Sequence, residues 1–362
     1  MVFRLTMHPA LDGDCLLLAW GEGGSPKHLV MDLGRAGTWK KVRPTLASIG
    51  EVELFAISHV DADHIAGAIP MLKEAIPAFT PKRVWFNAFQ QLEGANTRLG
   101  KLEEFGARQG EKLSRGIANF DWPRNAEFAS KIVSTDSPEA NDWIEFGGGL
   151  KVFLISPDDQ SLAGFIEAWE DELAKAKIRV FDPDEDEDPV GPLFEPFAGL
   201  PDVKALAKAQ FSPDTAPANR TSIAFIAEFD GKRILFAGDS HSDVLERRIA
   251  PLAAKEGGRL KLDLLKVAHH GSKANTSPKF FSMIDCQRFA FSTDGSREHG
   301  HPNLETVARI LVNDPERPKH LYFNYERPTS SMWKSSLLTG RWNYTAHFPV
   351  DEKDDGTIII DL

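Results

Sequence analysis

The sequence predicts a mixed α/β fold in which two sheets pack face to face with helices outside them. Short apolar runs separated by glycine, aspartate and proline turns open the chain, which is typical of antiparallel strands. Strand-then-helix units follow in both halves of the chain. Polar residues that can bind metals repeatedly come directly after these strands, where open α/β sheets place their chemistry.

Hydrophobic patterning predicts the elements of both halves. In the first half they are strands over Phe3–Met7, Cys15–Trp20 and His28–Met31, a helix over Trp39–Ile49, a strand over Glu53–Ile57, the start of a helix over Ile65–Leu72 and a strand over Arg83–Phe86. In the second half they are strands over Ser222–Phe229, Arg233–Phe236, Leu264–Val267, Arg288–Ser292, His320–Phe323 and Thr357–Ile360. Helices are predicted between several of these strands.

Two polar stretches, at about 88–148 and 158–215, interrupt this pattern, and we interpret them as insertions in a single domain spanning residues 1–362. Between them, Lys151–Ser156 predicts a strand that stops at Pro157. The second stretch contains an amphipathic helix over roughly Gln160–Lys177 and, at 181–189, six carboxylates in nine residues. We predict a solvated loop for this acidic run; the alternative is a calcium site, although the spacing lacks the glycine and late glutamate of an EF-hand.

Composition indicates a folded protein of the reducing cytoplasm. The 362 residues are 42% hydrophobic and 10% aromatic, so the chain can bury a large core. No apolar run approaches the ~18 residues of a membrane helix, and the N-terminus lacks the order of a signal peptide. The two cysteines form no Cys-x-x-Cys pair, and Cys15 lies in an apolar run that favours a buried free thiol. A net charge of −11 argues against affinity for nucleic acid over the whole surface but leaves a local basic groove or a metal centre open.

The most informative segment is 58–64, Ser-His-Val-Asp-Ala-Asp-His, between a predicted buried strand and a predicted helix. Four of its seven side chains can bind a metal: His59, Asp61, Asp63 and His64. The alternative is a polar turn capped by Asp63. A cap needs one carboxylate rather than two carboxylates and two imidazoles, so we favour a metal-binding loop.

Four later segments deliver similar side chains near strand ends. They contribute Asn219 just before a strand, Asp239 after Ala-Gly, His269 and His270 before Gly-Ser, and His299 and His301 after the strand that ends at Ser292. Each has an ordinary alternative: a turn for the Gly-Asp step, a helix entry capped by Ser272 for the paired histidines, and a surface loop for the last two histidines. Together they would bring several potential ligands to one rim, as a two-metal site requires.

In this order the motifs resemble the metallo-β-lactamase superfamily of hydrolases, and most of all the hydrolase domain of bacterial DNA-uptake (competence) channel proteins. The resembling segments are Asp12-Gly13-Asp14-Cys15, Val30-Met31-Asp32-Leu33-Gly34, the strand–His59-x-Asp61-x-Asp63-His64–helix step, Ile155-Ser156-Pro157, Asn219-x-x-Ser222, Ala237-Gly238-Asp239, His269-His270-Gly271-Ser272 and Gly300-His301-Pro302. The resemblance covers about two thirds of the chain and omits the two polar stretches. It implies a four-layer αββα sandwich with a metal site at one edge of the paired sheets.

The resemblance also implies a role for each motif residue. His59 and Asp61 would bind one metal. Asp63, His64 and one histidine of the His269–His270 pair would bind a second, and Asp239 would bridge the two metals. Asn219 falls near the place of a further histidine ligand, and Asp32 would orient the ligand loop by hydrogen bonds. Which of the two adjacent histidines is the ligand stays open.

Two oxygen donors set this chain apart from the family's commonest pattern. Asp61 and Asn219 stand where that pattern has histidine. Zinc favours nitrogen and sulfur ligands, whereas manganese and magnesium favour oxygen. We therefore expect two divalent metal ions, with Mn²⁺ favoured and Zn²⁺ as the alternative. One stable ion and a second that arrives with substrate is a further alternative.

These residues predict a metal-dependent hydrolase that uses a water activated by two metal ions, and specifically a phosphodiesterase or nuclease for short, single-stranded or small nucleotide substrates. Asp63 would hold the water, and His301 or His299 would donate a proton to the leaving oxygen or hold a substrate oxygen. Basic residues beside the motifs could contact phosphates, although an ordinary surface charge is the favoured interpretation of each; they are Arg220, Lys266, Lys273 and Arg297. The alternatives are a lactonase, thioesterase or small phosphoesterase with the same site, and a non-catalytic metal-bearing domain in a larger assembly. We expect no membrane contact; a protein partner cannot be named.

Overall fold

The computed structural model describes residues 1–100, 117–169, 199–295, 300–350 and 356–362. Its first sheet contains the strands β1 (Val2–Met7), β2 (Leu16–Gly21), β3 (Lys27–Met31), β5 (Leu54–Ala56), β7 (Val84–Trp85) and β18 (Ile358–Asp361). Their spatial order is β18-β1-β2-β3-β5-β7. The pairs β18–β1, β1–β2 and β2–β3 are antiparallel, and the pairs β3–β5 and β5–β7 are parallel.

The second sheet contains β8 (Ile144–Glu145), β9 (Lys151–Ser156), β10 (Ala224–Phe229), β11 (Lys232–Phe236), β13 (Leu264–Lys266), β15 (Arg288–Phe291), β16 (Lys319–Phe323) and β17 (Tyr344–His347). Their spatial order is β17-β16-β15-β13-β11-β10-β9-β8. The strands from β11 to β17 are parallel, and those from β8 to β11 are antiparallel. Two short pairs lie beside the sheets, β4 (Gly50–Val52) with β6 (Phe79–Pro81) and β12 (Leu260–Leu262) with β14 (Ile284–Cys286).

The helices lie between the strands along the chain, and the fourth falls where the chain passes from β7 of the first sheet to β8 of the second. They are α1 (Ala36–Ala47), α2 (Ala62–Ile65), α3 (Ala68–Leu72), α4 (Phe89–Arg98), α5 (Asp159–Gly164), α6 (Val203–Ala207), α7 (Pro217–Arg220), α8 (Ser242–Lys255), α9 (Pro278–Ser282), α10 (Leu304–Val312), α11 (Pro328–Ser331) and α12 (Ser336–Trp342). Side-chain caps begin several of them: Asp158 accepts from Ser161 N at 2.8 Å at the start of α5. Across the described ranges, none of these helices has the length and apolar character needed to cross a membrane.

Three apolar layers separate four layers of secondary structure. Neighbouring strand residues point to opposite faces. In β3, Leu29 therefore packs between the two sheets and Val30 packs against the outer helices. The second sheet does the same, with Phe225 in the central layer and Ile226 against its own helices. The predicted four-layer αββα sandwich is therefore confirmed.

The structure also corrects parts of the sequence prediction. The first helix begins at Ala36 rather than Trp39, and the strands β8 and β17 were not predicted. The described part of the helix predicted over Gln160–Lys177 consists of α5 and a single 3₁₀ turn, Ile166–Ala168; the rest lies outside the described residues. The acidic run at 181–189 also lies outside them.

Residues of the stretch at 88–148, predicted as an insertion, contribute to the core. Phe128, Val133 and Phe146 pack in the central layer between the sheets. The Asn125 side chain secures this segment to β7, because it accepts from Phe86 N at 3.0 Å and donates to Phe86 O at 2.9 Å. The described part of this stretch is therefore integral to the sandwich, although its polar sequence gives it no strand or helix period.

Candidate metal centre

The predicted ligands lie in loops at one edge of the paired sheets. They follow the carboxyl ends of β5, β11 and β13, which are parallel strands within their sheets and so open their loops on the same side. Because β10 is antiparallel to β11, Asn219 lies just before β10 at that edge. The edges of the two sheets meet, since Ile223 N donates to Ser58 O at 2.9 Å.

Gly13 allows the ligand loop to approach the first hairpin closely. A Cβ atom at this position would lie 1.8 Å from the Asp63 carbonyl oxygen, so any side chain here would displace the loop. The next residue, Asp14, donates its backbone N–H to the same carbonyl at 3.2 Å. The Asp-Gly-Asp segment therefore fixes the position of Asp63 through the backbone.

Asp63, His64 and His270 form one group of potential ligands. The Nε2 atoms of His64 and His270 are 3.2 Å apart. The Asp63 carboxylate oxygen Oδ2 lies 3.7 Å from the first of these nitrogens and 3.4 Å from the second. His270 Nδ1 donates to the carbonyl oxygen of Ser292 at 2.8 Å, which leaves the lone pair of its Nε2 facing the group.

His59, Asp61 and Asp239 form a neighbouring group. His59 Nε2 lies 3.4 Å from Asp61 Oδ2 and 3.9 Å from Asp239 Oδ2. The same Asp239 oxygen lies 3.3 Å from His64 Nε2 and 3.6 Å from His270 Nε2. One oxygen of Asp239 thus lies within 3.9 Å of a ring nitrogen from each group.

The backbone conformation of the two adjacent histidines directs their rings to different sides. His269 and His270 both adopt left-handed conformations, with φ of 46° and 54°. Such conformations cost non-glycine residues about 1–2 kcal/mol each. They point the two rings to different sides: His270 lies with Asp63 and His64, whereas His269 Nε2 lies 3.7 Å from Asp239 Oδ2 near Asn219.

Several buried atoms at the centre fit a cation. The atoms His59 Nε2, Asp61 Oδ1, Asn219 Oδ1 and Asp239 Oδ1 are buried and have no hydrogen-bond partner among the described residues. Unsatisfied buried acceptors are rare because each costs free energy. Potential ligand atoms of His59, His64 and Asp239 all lie within 4.8 Å of one another, as do those of Asp63, His64 and His270. These donor atoms fit a divalent cation.

Asp32 contacts the ligand loop through hydrogen bonds. Its carboxylate accepts from Ser58 N and Ser58 Oγ, each at 2.7 Å, and lies 2.8 Å from His64 Nδ1. A carboxylate accepts, so His64 Nδ1 carries the proton and Nε2 is left as the potential ligand. Asp32 has a φ of 58°, a left-handed conformation at the end of β3.

The charges of the cluster shift its titration. Burial lowers the pKa of His64, but the neighbouring carboxylates, led by Asp239, outweigh burial and hold that pKa well above its ordinary value. Burial raises the pKa of Asp239, and His64 and His270 hold it well below its ordinary value. For His269, burial is again outweighed by Asp239, and its pKa is raised to about 9. Protonated rings of His64 and His269 therefore neutralise part of the carboxylate charge when no cation is bound.

Sequence reasoning missed three residues at the centre. Asp14, Asp214 and Asn275 are buried or nearly so and contact predicted ligands. Asp14 Oδ1 lies 3.6 Å from His270 Nδ1 and has no hydrogen-bond partner within the described ranges. The Asp12-Gly13-Asp14 motif was the available signal for Asp14, whereas Asp214 lies in a stretch without periodicity.

The basic residues expected to contact phosphates have other partners. Lys266 is fully buried and donates to Asp14 Oδ2 at 2.6 Å, so the expectation of a phosphate contact is corrected for this residue. Arg220 pairs with Asp243 at 2.7 Å, and Lys273 pairs with Glu305 at 2.9 Å. Arg297 lies outside the described residues.

Of the two histidines proposed as acids, His301 lies at the centre. Its ring centroid is 5.2 Å from that of His269 and 6.4 Å from that of His270. The residue is half-buried, and both of its ring nitrogens are buried. His299 lies outside the described residues.

Comparison with known proteins gives limited similarity. No family model matches the chain. A stretch of 96 residues is 27% identical to ComE operon protein 3 of Bacillus subtilis and spans 26% of this chain but 12% of that protein. The crystal structure of the metallo-β-lactamase fold protein YhfI from Bacillus subtilis aligns over 100% of both chains with 11% identity and a TM-score of 0.41. Zn²⁺-bound PqqB from Methylobacterium extorquens aligns over 96% of this chain and 87% of its own, with 12% identity and a TM-score of 0.36.

The sequence resemblance implies a four-layer sandwich with the motif residues at one edge of the paired sheets. The structure has that layer order, and it brings the motif residues together at that edge. In its motifs and in its four-layer sandwich, the chain therefore resembles the metallo-β-lactamase superfamily.

Proposed function

We propose that this protein is a hydrolase that depends on two divalent metal ions and cleaves phosphodiesters in short, single-stranded or small nucleotide substrates. The observation that carries the proposal is the position of Asp239. One of its oxygens, Oδ2, lies 3.3 Å from His64 Nε2 and 3.9 Å from His59 Nε2, between two groups of buried ligands. A carboxylate in that position suits a bridge between two cations.

The donor set favours a hard metal ion. The group around His59 offers that imidazole and the oxygens of Asp61 and Asp239. His269 Nε2 and the buried oxygen of Asn219 are further potential donors on the His269 side of Asp239. Oxygen donors suit Mn²⁺ and Mg²⁺ better than Zn²⁺. The second group, with His64 and His270, is richer in nitrogen. We therefore propose Mn²⁺ as the preferred ion, with Zn²⁺ competing mainly for the second group.

Bound divalent ions act as Lewis acids, and two of them stabilise the attacking and the leaving oxygens of a phosphoryl displacement. The chain supplies orientation and proton transfer. Asp63, with its side chain 21% exposed, can both face a ligand group and accept a hydrogen bond from an attacking water. To His301, whose ring centroid lies 5.2 Å from that of His269, we assign the role of proton donor to the leaving oxygen.

Charge supports a small anionic substrate. The chain carries a net charge of −11, and the centre contains several carboxylates, so a phosphodiester would be repelled unless cations were present. Arg220 and Lys273 near the centre are already paired with carboxylates. A long duplex needs many cationic contacts, whereas a dinucleotide or a single strand needs few.

A substrate panel tests the proposal. Protein stripped with a chelator would be reloaded with Mn²⁺, Zn²⁺ or Mg²⁺ and assayed on bis(p-nitrophenyl) phosphate, single-stranded DNA and a lactone. We expect turnover of a phosphodiester, greatest with Mn²⁺, and its loss in Asp239→Asn. Asp243→Asn is the matched control, since this carboxylate is 57% exposed, pairs with Arg220 and belongs to none of the ligand groups. Absence of phosphodiester turnover with every metal would exclude the proposal, and turnover of the lactone alone would favour a small-molecule hydrolase.

A further inference from the structure

Asp214 lies beside the candidate metal centre in a stretch that we predicted as an insertion. Its backbone N–H donates to Ala274 O at 3.0 Å, which holds the stretch against the loop after His270. Its carboxylate oxygen Oδ2 accepts from Asn219 Nδ2 at 2.7 Å and from Asn275 Nδ2 at 2.9 Å. The side chain is 12% exposed, so these bonds are largely shielded from water.

These bonds fix the orientation of the Asn219 amide. A carboxylate can only accept, so the NH₂ group of Asn219 must face Asp214 and the carbonyl oxygen must face away. That oxygen, Oδ1, is buried and has no hydrogen-bond partner in the described part of the chain. The whole residue is 3% exposed. Asn219 therefore carries a buried oxygen, on the side of the amide away from Asp214, that no hydrogen bond of the described residues satisfies.

The same carboxylate fixes His269 through Asn275. The Asn275 NH₂ group donates both to Asp214 and to the backbone oxygen of Asp239, at 3.0 Å, so its Oδ1 must face the other way. That oxygen lies 2.9 Å from His269 Nδ1, which must then carry the proton and donate. The Nε2 atom of His269, on the side of Asp239, keeps its lone pair.

We propose that Asp214 is a positioning residue that sets the donor atoms on the Asn219 side of the metal centre: an amide oxygen from Asn219 and an imidazole Nε2 from His269. This inference rests on the proposed function, because it presupposes that the centre binds metal. Without the Asp214 carboxylate the Asn219 amide is free to rotate and to present its NH₂ group, which cannot bind a cation. Residues that orient metal ligands typically contribute about 10–100-fold to metal affinity.

Calorimetric titration of the chelator-stripped full chain with Mn²⁺ tests the assignment. In Asp214→Asn, a substitution of equal size, we expect one of the two binding steps to weaken about 10–100-fold and the other to stay unchanged. Asp202→Asn is the matched control: it makes the same change in the same stretch, at the N-cap of α6, where asparagine caps equally well, and should bind as the wild type does. Wild-type affinity for both ions in Asp214→Asn would overturn the inference.

A coupling measurement separates positioning from general support of the fold. If Asp214 acts through Asn219, then Asp214→Asn should weaken Mn²⁺ binding much less in an Asn219→Ala background than in the wild type. Equal effects in both backgrounds would overturn the inference. Circular dichroism shows whether Asp214→Asn folds. If it does not, the Mn²⁺ affinity of Asn219→Ala tests the inference by itself, because an unchanged affinity would exclude Asn219 as a ligand. A wild-type chain that binds no divalent ion would instead refute the proposed function itself.

Discussion

Replacing Lys266 with methionine should leave the Asp14 carboxylate buried without the ammonium group that now lies beside it. The Lys266 Nζ atom is 2.6 Å from Asp14 Oδ2, and both side chains are 0% exposed. Methionine is unbranched and fills a similar space, so the loss of charge should matter more than a change in packing. Asp14 also lies within ligand distance of His270 and Asp239, so the unpaired charge would lie beside the candidate metal centre.

The expected cost follows from the separation of the two charges. At an effective dielectric constant of about 20, unit charges 2.6 Å apart attract by about 6 kcal/mol. The desolvation of both groups offsets part of this attraction, and breaking a buried pair from one side usually costs about 3–5 kcal/mol. We therefore expect Lys266→Met to lower the free energy of unfolding by that amount, a large share of the ~5–15 kcal/mol of a typical domain.

Urea unfolding of the metal-free protein, followed by tryptophan fluorescence, measures this cost. Lys266→Met, Asp14→Asn and the double variant form a cycle, and the double variant should lose about 1–3 kcal/mol less than the sum of the two single changes. Lys334→Met serves as the surface control, because this lysine is 51% exposed and its pair with Glu326 should contribute less than about 1 kcal/mol. A loss below about 0.5 kcal/mol in Lys266→Met, or strict additivity in the cycle, would refute this account of the pair.

Three further predictions concern the loop contact, the thiols and the protons of the centre. Gly13→Ala should lower both the unfolding temperature and Mn²⁺ binding, because its Cβ would lie 1.8 Å from the Asp63 carbonyl oxygen, whereas Gly37→Ala, with nothing within 4 Å, should not. Both cysteine thiols should resist a thiol reagent at pH 8 until urea unfolds the chain. Burial raises the pKa of the Cys286 thiol to about 12 and also raises the pKa of the Cys15 thiol, so neither forms the reactive thiolate. Rapid labelling of the native protein would contradict this. Metal binding should release protons and strengthen as the pH rises toward 9. The reason is that the neighbouring carboxylates outweigh burial and raise the pKa of His269 to about 9, whereas a metal ion binds only the neutral ring. Calorimetry in two buffers of different ionisation enthalpy measures the number of protons released, and a value of zero would contradict the prediction.

The parts of the fold and site that local patterns encode could be predicted from the sequence. An apolar strand followed at once by His59 and Asp61 predicts ligands at a strand end without knowledge of the rest of the chain. The same holds for Asp239 after β11. Strand ends were predicted to within a few residues because polar or turn-forming residues follow the apolar runs within a few positions.

Pairings across long sequence separations could not be predicted. Asp14 and Lys266 are 252 residues apart, and a lysine in a strand ordinarily faces water. The position of Asp214 depends on how a stretch without periodicity folds back onto Ala274. The choice between His269 and His270 depends on two left-handed backbone conformations, which no residue pattern indicates for histidine.

The central claim, that the buried cluster holds two divalent ions with Asp239 between them, is tested most directly by anomalous X-ray diffraction from crystals loaded with Mn²⁺. We predict two anomalous peaks, one beside His59 and Asp61 and the other beside His64 and His270, with the Asp239 carboxylate between the peaks. A single peak elsewhere, or no peak at this edge of the sheets in protein that is otherwise fully folded, would contradict the account.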